Sequence, residues 1–134
     1  MKVNIALLTV TDTRTFDNDK SGAILVDKIK ESNHNLLDRK LCKDNKDEIV
    51  LILKEWLKNE KIDAIITTGG TGLTGRDITP EALDEVADKH IPGFGEVFRN
   101  ISIKTVGTSA IQSRACAVLS NGKYIFALPG SSGG

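Results

Sequence analysis

The sequence predicts an α/β protein of three layers, with helices on both faces of a mostly parallel β-sheet and a β-hairpin near the C-terminus. Short, almost wholly apolar segments alternate with longer segments that carry apolar residues at helical spacing. This alternation is typical of strand–helix–strand units in parallel sheets. Near the end, an Asn-Gly pair at 121–122 separates two apolar runs, which is the strongest short signal for a hairpin.

Length and composition limit the possible classes of protein. A chain of 134 residues predicts a single domain, 1–134, and 40% hydrophobic with 27% charged residues is ordinary for a folded globular protein. The 18 basic residues balance the 18 acidic ones, which argues against nucleic-acid binding by bulk charge. The first apolar run is too short for a signal peptide or a membrane span, so a cytoplasmic protein with reduced cysteines and no membrane partner is expected.

The first half of the chain predicts two strands and two helices. Residues 3–10 (VNIALLTV) form a short, β-branched and almost wholly apolar run, as in a strand that is buried on both faces. A polar loop over 12–20 leads into a helix from Ser21 to about Ser32. Residues 35–42 resemble a weaker edge strand, and a second helix follows Asp44 and ends near residue 60.

The middle of the chain predicts a central strand and a third helix. Residues 63–68 are apolar and run directly into Gly69 and Gly70. The helix is expected over 79–89, with Thr79 as its capping residue and Pro80 at the first helical position.

The last part predicts a fourth helix and the hairpin. Pro92-Gly93 is expected to interrupt the helical pattern, and the next helix is predicted over 94–104. The hairpin strands are 115–120 and 123–128, and they are expected to add an antiparallel pair at an edge of the sheet.

Three polar segments follow predicted strands. They are residues 9–14 (TVTDTR), 67–77 (TTGGTGLTGRD) and 128–133 (LPGSSG). Ligands of open α/β sheets bind at the carboxyl ends of the strands, so these segments are expected to meet at one binding site.

The segment 67–77 carries the most chemical information. Its glycines allow backbone N–H groups to converge on an anion, and its threonines add hydroxyl donors. Arg76 adds a positive charge, and Asp77 offers the hard oxygen that Mg²⁺ prefers. The spacing matches neither a Walker A loop nor a dinucleotide fingerprint. The alternative interpretation is a tight turn between a strand and a helix.

Several other polar residues have two interpretations. Asp44 is either a helix N-cap or, with Asp77, a ligand of one divalent ion. Arg14 is either a solvated loop charge or part of a small cationic pocket. Ser113 and Arg114 either hold a phosphate or belong to a polar loop.

Four segments together resemble the molybdenum cofactor biosynthesis proteins of the MoaB/MogA type, to which the G domain of gephyrin-like proteins also belongs. The segments are 67–82 (TTGGTGLTGRDITPEA), 92–99 (PGFGEVFR), 113–115 (SRA) and 128–131 (LPGS). The resemblance extends from Val3 to Ser131. The block at 107–115 (GTSAIQSRA) is closer to the MoaB branch.

The resemblance implies a molybdopterin-binding fold and an adenylyltransferase. Molybdopterin and Mg-ATP would be its substrates, and adenylylated molybdopterin and pyrophosphate its products. Asp44 and Asp77 match the family's two functional acidic positions, which implies catalytic and Mg²⁺-binding roles. The implied ligand-binding residues are Thr13, Gly69, Gly70, Thr71, Gly72, Arg76, Thr79, Pro80, Ser113, Arg114, Pro129, Gly130 and Ser131.

The resemblance leaves two alternatives, a non-catalytic molybdopterin-binding or carrier protein and an oligomeric structural module. Some MoaB-branch proteins lack the Arg-Asp and Thr of the central motif, whereas this chain has Arg76, Asp77 and Thr79, which favours catalysis. Family members form homo-oligomers, so a trimer or hexamer is expected, with Phe94 and Phe98 as core or contact residues. The family has a helix after LPGS, and the resemblance therefore leads us to expect a single domain that lacks this C-terminal helix.

Overall fold

Six strands form one sheet in a computed structural model that describes residues 2–75, 77–106 and 114–130, without the side chains of 102–106. The strand order is β2-β1-β3-β6-β5-β4. The elements are β1 (Asn4–Val10), α1 (Lys20–Glu31), β2 (Asn35–Cys42), α2 (Lys46–Leu57), β3 (Ala64–Thr68), α3 (Thr79–Val86), β4 (Lys89–His90), α4 (Pro92–Val106), β5 (Cys116–Ser120) and β6 (Lys123–Leu128).

The sheet is mostly parallel, as the sequence predicts. β1 pairs in parallel with β2 and β3, and β3 pairs in parallel with β6. β5 runs antiparallel to both β6 and β4. The predicted hairpin is confirmed, and its turn residues Asn121 and Gly122 have φ of 50° and 74°. Positive φ at both positions is what a two-residue type I′ turn requires.

The predicted position of the hairpin is wrong in one respect. β6 lies inside the sheet between β3 and β5, and the two-residue strand β4 forms the edge beyond β5. β4 was not predicted, because two residues are too few to show any periodicity.

Helices cover both faces of the sheet, which confirms the three-layer prediction. On one face, Leu53 of α2 and Leu83 of α3 are fully buried against Ile65 and Ile125. On the other face, Ile29 of α1 packs in a second cluster of buried residues. α4 lies on that same face, where the rings of Phe94 and Phe126 have centroids 5.2 Å apart. Burial on both faces explains why the central strands are largely apolar.

Two predicted helix caps are wrong. Asn45, not Asp44, caps α2, because its side-chain oxygen accepts a hydrogen bond from the backbone N–H of Glu48 (3.1 Å). Thr79 is the first residue of α3 rather than its cap, and Ile78 precedes it without a side-chain cap. The cap of α2 therefore does not use Asp44, and the hydroxyl of Thr79 bonds the glycine loop instead.

Two predicted helix bounds also differ. α3 ends at Val86, because the next residues turn into β4. α4 begins at Pro92 instead of after the Pro-Gly pair. Proline lacks only an N–H that the first helical turn would leave unbonded, so it can start a helix as readily as it interrupts one.

The two cysteines are partly buried. Cys42 and Cys116 are both free thiols. Burial raises the pKa of Cys42 to about 12 and that of Cys116 to about 11, so both stay protonated at neutral pH. Within the described ranges, no helix is long and apolar enough to cross a membrane.

Candidate functional site

The three predicted polar segments meet at the carboxyl ends of β1, β3 and β6. The N–H of Gly69, directly after β3, donates to the carbonyl of Leu128 at the end of β6 (2.9 Å). A Cβ built on Gly69 would lie 2.3 Å from the carbonyl oxygen of Val10, the last residue of β1. Gly130 also approaches this point, since its added Cβ would lie 3.2 Å from the Cα of Gly69.

Gly69 and Gly70 allow the loop after β3 to contact the start of α3. Their φ values are 101° and 72°, which side chains disfavour. The hydroxyl of Thr79 donates to the carbonyl of Gly69 (2.9 Å), and its backbone N–H donates to the carbonyl of Gly70 (3.1 Å). Thr79 is fully buried, so its hydroxyl fixes the glycine loop from inside the protein.

Asp44 lies on one side of this glycine loop. Its Oδ1 would be 3.2 Å from a Cβ built on Gly70, and its backbone N–H donates to Oδ1 of Asp12 (3.0 Å). Asp12 was not predicted as a site residue, although it lies in the polar segment after β1 that was predicted to form part of the binding site. Asp12 joins the loop after β1 to the loop before α2.

Asp77 lies beside Gly72, the next glycine in the same loop. Its Oδ2 accepts hydrogen bonds from the Thr74 hydroxyl (2.7 Å) and the Thr74 N–H (3.0 Å). The same oxygen would be 2.7 Å from a Cβ built on Gly72. The hydrogen bond from the Thr74 hydroxyl is the main reason why the pKa of Asp77 is lowered, and Arg114 adds a smaller favourable charge. Asp77 is therefore anionic at neutral pH.

Replacing Thr74 with valine is expected to raise the pKa of the Asp77 carboxyl, because the largest interaction that favours the ionised form is removed. The carboxyl carbon of Asp77 can be followed by NMR during an acid titration. Thr15→Val, in an exposed loop, is the matched control. An unchanged Asp77 titration in Thr74→Val would contradict this assignment.

Arg114 holds the glycine loop through both its side chain and its backbone. Its Nε donates to the carbonyl of Gly72 (2.7 Å), and its guanidinium forms a two-point ion pair with Glu81 and bonds the Asp77 carbonyl. Its backbone N–H donates to the carbonyl of Thr71 (2.7 Å). The ion pair with Glu81 raises the pKa of Arg114, which stays charged. These contacts give Arg114 a positioning role, and its contact with a ligand stays a prediction.

Replacing Arg114 with glutamine is expected to destabilise the protein by about 2 kcal/mol, because its charge-assisted hydrogen bonds to the glycine loop and to Glu81 of α3 are lost. Thermal unfolding measures this loss, and Glu81→Gln is expected to show a similar but smaller one. Lys46→Gln is the control, since its ion pair with Glu85 (3.7 Å) joins two half-exposed side chains and contributes little. Equal melting temperatures for Arg114→Gln and Lys46→Gln would contradict the positioning role.

The remaining predicted site residues lie at or near the same edge. Thr71 and Pro80 are buried, and Thr13 is exposed in the loop after β1. The carbonyl of Pro129 accepts a hydrogen bond from the Thr68 hydroxyl (3.0 Å). Three predicted residues lie outside the described ranges: Arg76, Ser113 and Ser131.

The side chains of the site could supply one or two carboxylates as ligands of a metal ion. In the part of the chain that the structure describes, no group of three or more His, Cys, Asp or Glu side chains could hold a metal ion. A cation here would therefore need oxygens from a bound ligand in addition to one or two carboxylates. Mg²⁺ is commonly bound in this way with nucleotide phosphates.

Comparisons with known proteins agree with this architecture. A family model described as "Probable molybdopterin binding domain" matches residues 6–134. Molybdenum cofactor biosynthesis protein B of Escherichia coli K12 is 42% identical over 128 residues, which span 96% of this chain and 75% of that protein. The protein of the same name from Staphylococcus aureus MRSA252 is 46% identical over 134 residues, or 98% of this chain and 79% of that protein.

Solved structures give the same result. A crystal structure of molybdenum cofactor biosynthesis protein B matches with a TM-score of 0.95 and 41% sequence identity. The match covers 99% of this chain and 83% of the chain in that crystal structure. The tungsten cofactor synthesizing protein MoaB from Pyrococcus furiosus has a TM-score of 0.86 and 34% identity. That match covers 98% of this chain and 84% of the Pyrococcus chain.

Proposed function

The chain belongs to the molybdenum cofactor biosynthesis protein B family, and from this premise we propose that it transfers AMP from Mg-ATP to molybdopterin. The products would be adenylylated molybdopterin and pyrophosphate. An oxygen of molybdopterin bonds to the α-phosphorus of ATP, and the bond from that phosphorus to the oxygen bridging to the β-phosphate breaks. The pyrophosphate leaves with that oxygen.

The observation that carries this proposal is the placement of two carboxylates beside one glycine loop. Asp44 lies beside Gly70, and Asp77 lies beside Gly72. Their oxygens are hard ligands, and Asp77 is held in its ionised form by Thr74. This donor set fits Mg²⁺, which when bound neutralises the charge that develops on the departing pyrophosphate.

The loop itself supplies positioning. Nucleotidyl transfer depends mainly on the alignment of the reacting groups and on charge neutralisation, not on acid–base chemistry by side chains. Thr79 fixes Gly69 and Gly70 through two hydrogen bonds, and Arg114 fixes the loop further along at Gly72. In this proposal the backbone N–H groups of the loop bind phosphate oxygens, because glycine leaves their approach open.

The direct test is incubation of the protein with molybdopterin and Mg-ATP. Adenylylated molybdopterin and one equivalent of pyrophosphate are the expected products, detected by chromatography and by a coupled pyrophosphate assay. Binding of molybdopterin without product would support the non-catalytic binding or carrier protein instead. Failure to bind molybdopterin at all would reject both.

Chelation of divalent metal with EDTA is expected to abolish AMP transfer, and added Mg²⁺ is expected to restore it. The reason is that Asp44 and Asp77 would repel the phosphates, and a cation held by these two carboxylates would neutralise that repulsion. EDTA that has been saturated with Mg²⁺ is the control for effects of the chelator itself. Turnover that persists without metal would reject the ion site at these two residues.

We also propose that the protein is a cytoplasmic homo-oligomer, a trimer or a hexamer. Helix α4 exposes Val97 (60%) and Ile101 (63%), and the neighbouring Tyr124 on β6 is 50% exposed. Apolar side chains grouped in this way are typical of subunit contacts. Light scattering of the purified protein measures the mass, and a monomer at micromolar concentration would contradict this part of the proposal.

A further inference from the structure

A buried carboxylate joins β1, the start of α1 and β2. The side chain of Asp19, directly before α1, is 2% exposed. Its carboxylate accepts hydrogen bonds from the Thr9 hydroxyl on β1 (2.6 Å) and from the N–H of Gly22 in α1 (3.1 Å). Nη2 of Arg39 on β2 donates to the same carboxylate at 3.2 Å. Arg39 thereby connects an edge strand of the sheet to the beginning of α1.

Arg39 also contacts the loop over residues 11–18, which precedes α1. Its guanidinium carbon lies 5.2 Å from the centroid of the Phe16 ring, within the range of a cation–π interaction. Residues 12–18 are all exposed, and Phe16 is 54% exposed even with its ring against the guanidinium. The Phe16 ring therefore ties the exposed middle of this loop to the sheet.

The same loop forms one wall of the substrate site proposed above. Thr11 and Arg14 line a cavity of about 290 Å³ at the carboxyl ends of β1 and β3. Nη1 of Arg14 donates to the carbonyl of Asn18 within the loop (3.0 Å), so the direction of the Arg14 side chain follows the conformation of the loop. The affinity for a ligand is reduced by the fraction of molecules in the binding-competent conformation. A residue that holds the loop can therefore change affinity without touching the ligand.

The position of the Arg39 side chain is not one that stability alone favours. Its Nε is buried and has no hydrogen-bond partner in the part of the chain that the structure describes. A buried donor without a partner lowers stability, because the hydrogen bonds it made to water are not replaced. Such exceptions are expected mainly at functional or strained sites, which favours a role in positioning for Arg39.

We propose that Arg39 is a positioning residue, which holds the loop over residues 11–18 in its ligand-binding conformation. It does so through two contacts, the ion pair with Asp19 at the end of the loop and the ring of Phe16 in its middle. Arg39 acts through the loop and not by touching the substrate. The effect on substrates rests on the proposed function, whereas the hold of Arg39 on the loop does not.

The neighbouring residue on β2, Lys40, offers a matched control. Its ammonium group pairs with Glu55 at 3.5 Å and lies 5.8 Å from the centroid of the Trp56 ring. Both partners belong to α2, on the opposite face of the sheet from α1. Lys40 therefore makes the same two kinds of contact as Arg39, but with a helix instead of the loop. A general loss of stability would appear in variants of either residue, and a change in the loop only in variants of Arg39.

The kinetic test is AMP transfer by Arg39→Met, which keeps the apolar stem of the side chain and removes its charge. The KM for at least one of the two substrates is expected to rise about fivefold or more, because the loop spends less time in the competent conformation. The kcat is expected to stay within about a factor of two, since the loop is in place once the substrate is bound. Arg39→Lys retains a cation for Asp19 and Phe16 and is expected to restore most of the affinity.

Lys40→Met is expected to have the kinetic constants of the unaltered protein. Unchanged KM values for both substrates in Arg39→Met would overturn the proposal, provided that circular dichroism shows the variant folded. An equal rise of KM in Lys40→Met would also overturn it, because the effect would then not pass through the loop.

Phe16→Leu separates the two contacts of Arg39. This variant removes the ring and leaves the ion pair with Asp19, so a smaller rise in KM is expected, about twofold to threefold. Because Phe16 acts through Arg39, the Phe16→Leu/Arg39→Met double variant is expected to have the KM of Arg39→Met alone. Effects of the two substitutions that simply multiply would show independent action and would overturn the shared role.

Fluorine NMR tests the hold on the loop without depending on the reaction. Protein labelled with fluorophenylalanine carries the label at its 4 Phe positions, and the Phe16 resonance is the one that Phe16→Leu removes. In Arg39→Met this resonance is expected to move toward its position in the unfolded protein, whereas Lys40→Met is expected to leave it in place. An unmoved Phe16 resonance in Arg39→Met would overturn the proposal. If the protein makes no adenylylated molybdopterin but the resonance moves as expected, the proposed function fails and the positioning of the loop by Arg39 stands.

Discussion

Asp77→Asn is expected to lower the rate of AMP transfer by about 100-fold or more, while the protein stays folded. The amide oxygen of asparagine can accept the same two hydrogen bonds from Thr74 that Oδ2 of Asp77 accepts now. The backbone carbonyl of residue 77, which Arg114 contacts, is unchanged by the substitution. What disappears is the negative charge, and with it the affinity of this position for a cation.

The measurement is product formation at saturating molybdopterin and Mg-ATP. Asp84→Asn on α3 is the matched control, because Asp84 is also a carboxylate but is 60% exposed and pairs with His90. The Asp84 variant is expected to turn over normally. Near-normal turnover of Asp77→Asn would remove Asp77 from the ion site and leave the reaction without its main charged group.

The ionisation of Asp77 also has a consequence for activity at acid pH. The lowered pKa keeps Asp77 ionised down to pH values below the ordinary carboxyl value of 3.8. Any loss of turnover between neutral pH and that value would come from groups other than Asp77. The Thr74→Val substitution is expected to raise the pKa of Asp77, and so to raise the pH below which Asp77 loses its charge.

The fold was predictable because its strands are buried on both faces. Residues of β1 and β3 pack against helices above and below the sheet, so these segments are mostly apolar and stand out from the amphipathic helices. The Asn-Gly turn between β5 and β6 is equally local, since it depends on the φ values of two adjacent residues.

Features that depend on distant partners were not predictable. The position of β6 inside the sheet follows from its parallel pairing with β3, about sixty residues earlier, which no local pattern reveals. The interruption expected at Pro92-Gly93 was wrong, because proline suits either a break or the first turn of a helix.

The location of the site was predictable, but the hydrogen-bond and ion-pair partners of its side chains were not. The rule that parallel strands end at one edge was enough to bring the three polar segments together. Asp44 and Asn45 are both common residue types at a helix N-cap, so the sequence could not decide between them. The structure shows that the side chain of Asn45 caps α2. Likewise, the ion pair of Arg114 with Glu81 joins residues that are far apart in the chain.

Gly69→Ala is expected to destabilise the protein by about 3 kcal/mol or more, which corresponds to a drop in melting temperature of roughly 10 °C or more. Two causes act together. A φ of 101° lies in a region that side chains disfavour, and the new Cβ would lie 2.3 Å from the backbone carbonyl oxygen of Val10. A backbone atom in a buried strand cannot move aside as the end of a flexible side chain can.

Gly75→Ala is the control in the same loop, because a Cβ built there meets no atom within 4 Å. Thermal unfolding of the two variants is the measurement, and equal melting temperatures would contradict the close approach of β1 to the loop. Relief of the clash in Gly69→Ala requires the loop to move away from Val10. That movement would also strain the hydrogen bonds of Gly69 to Leu128 (2.9 Å) and to the Thr79 hydroxyl (2.9 Å). The variant is therefore expected to lose AMP transfer even at temperatures where it remains folded, since the position of the loop beside Asp44 and Asp77 depends on these bonds.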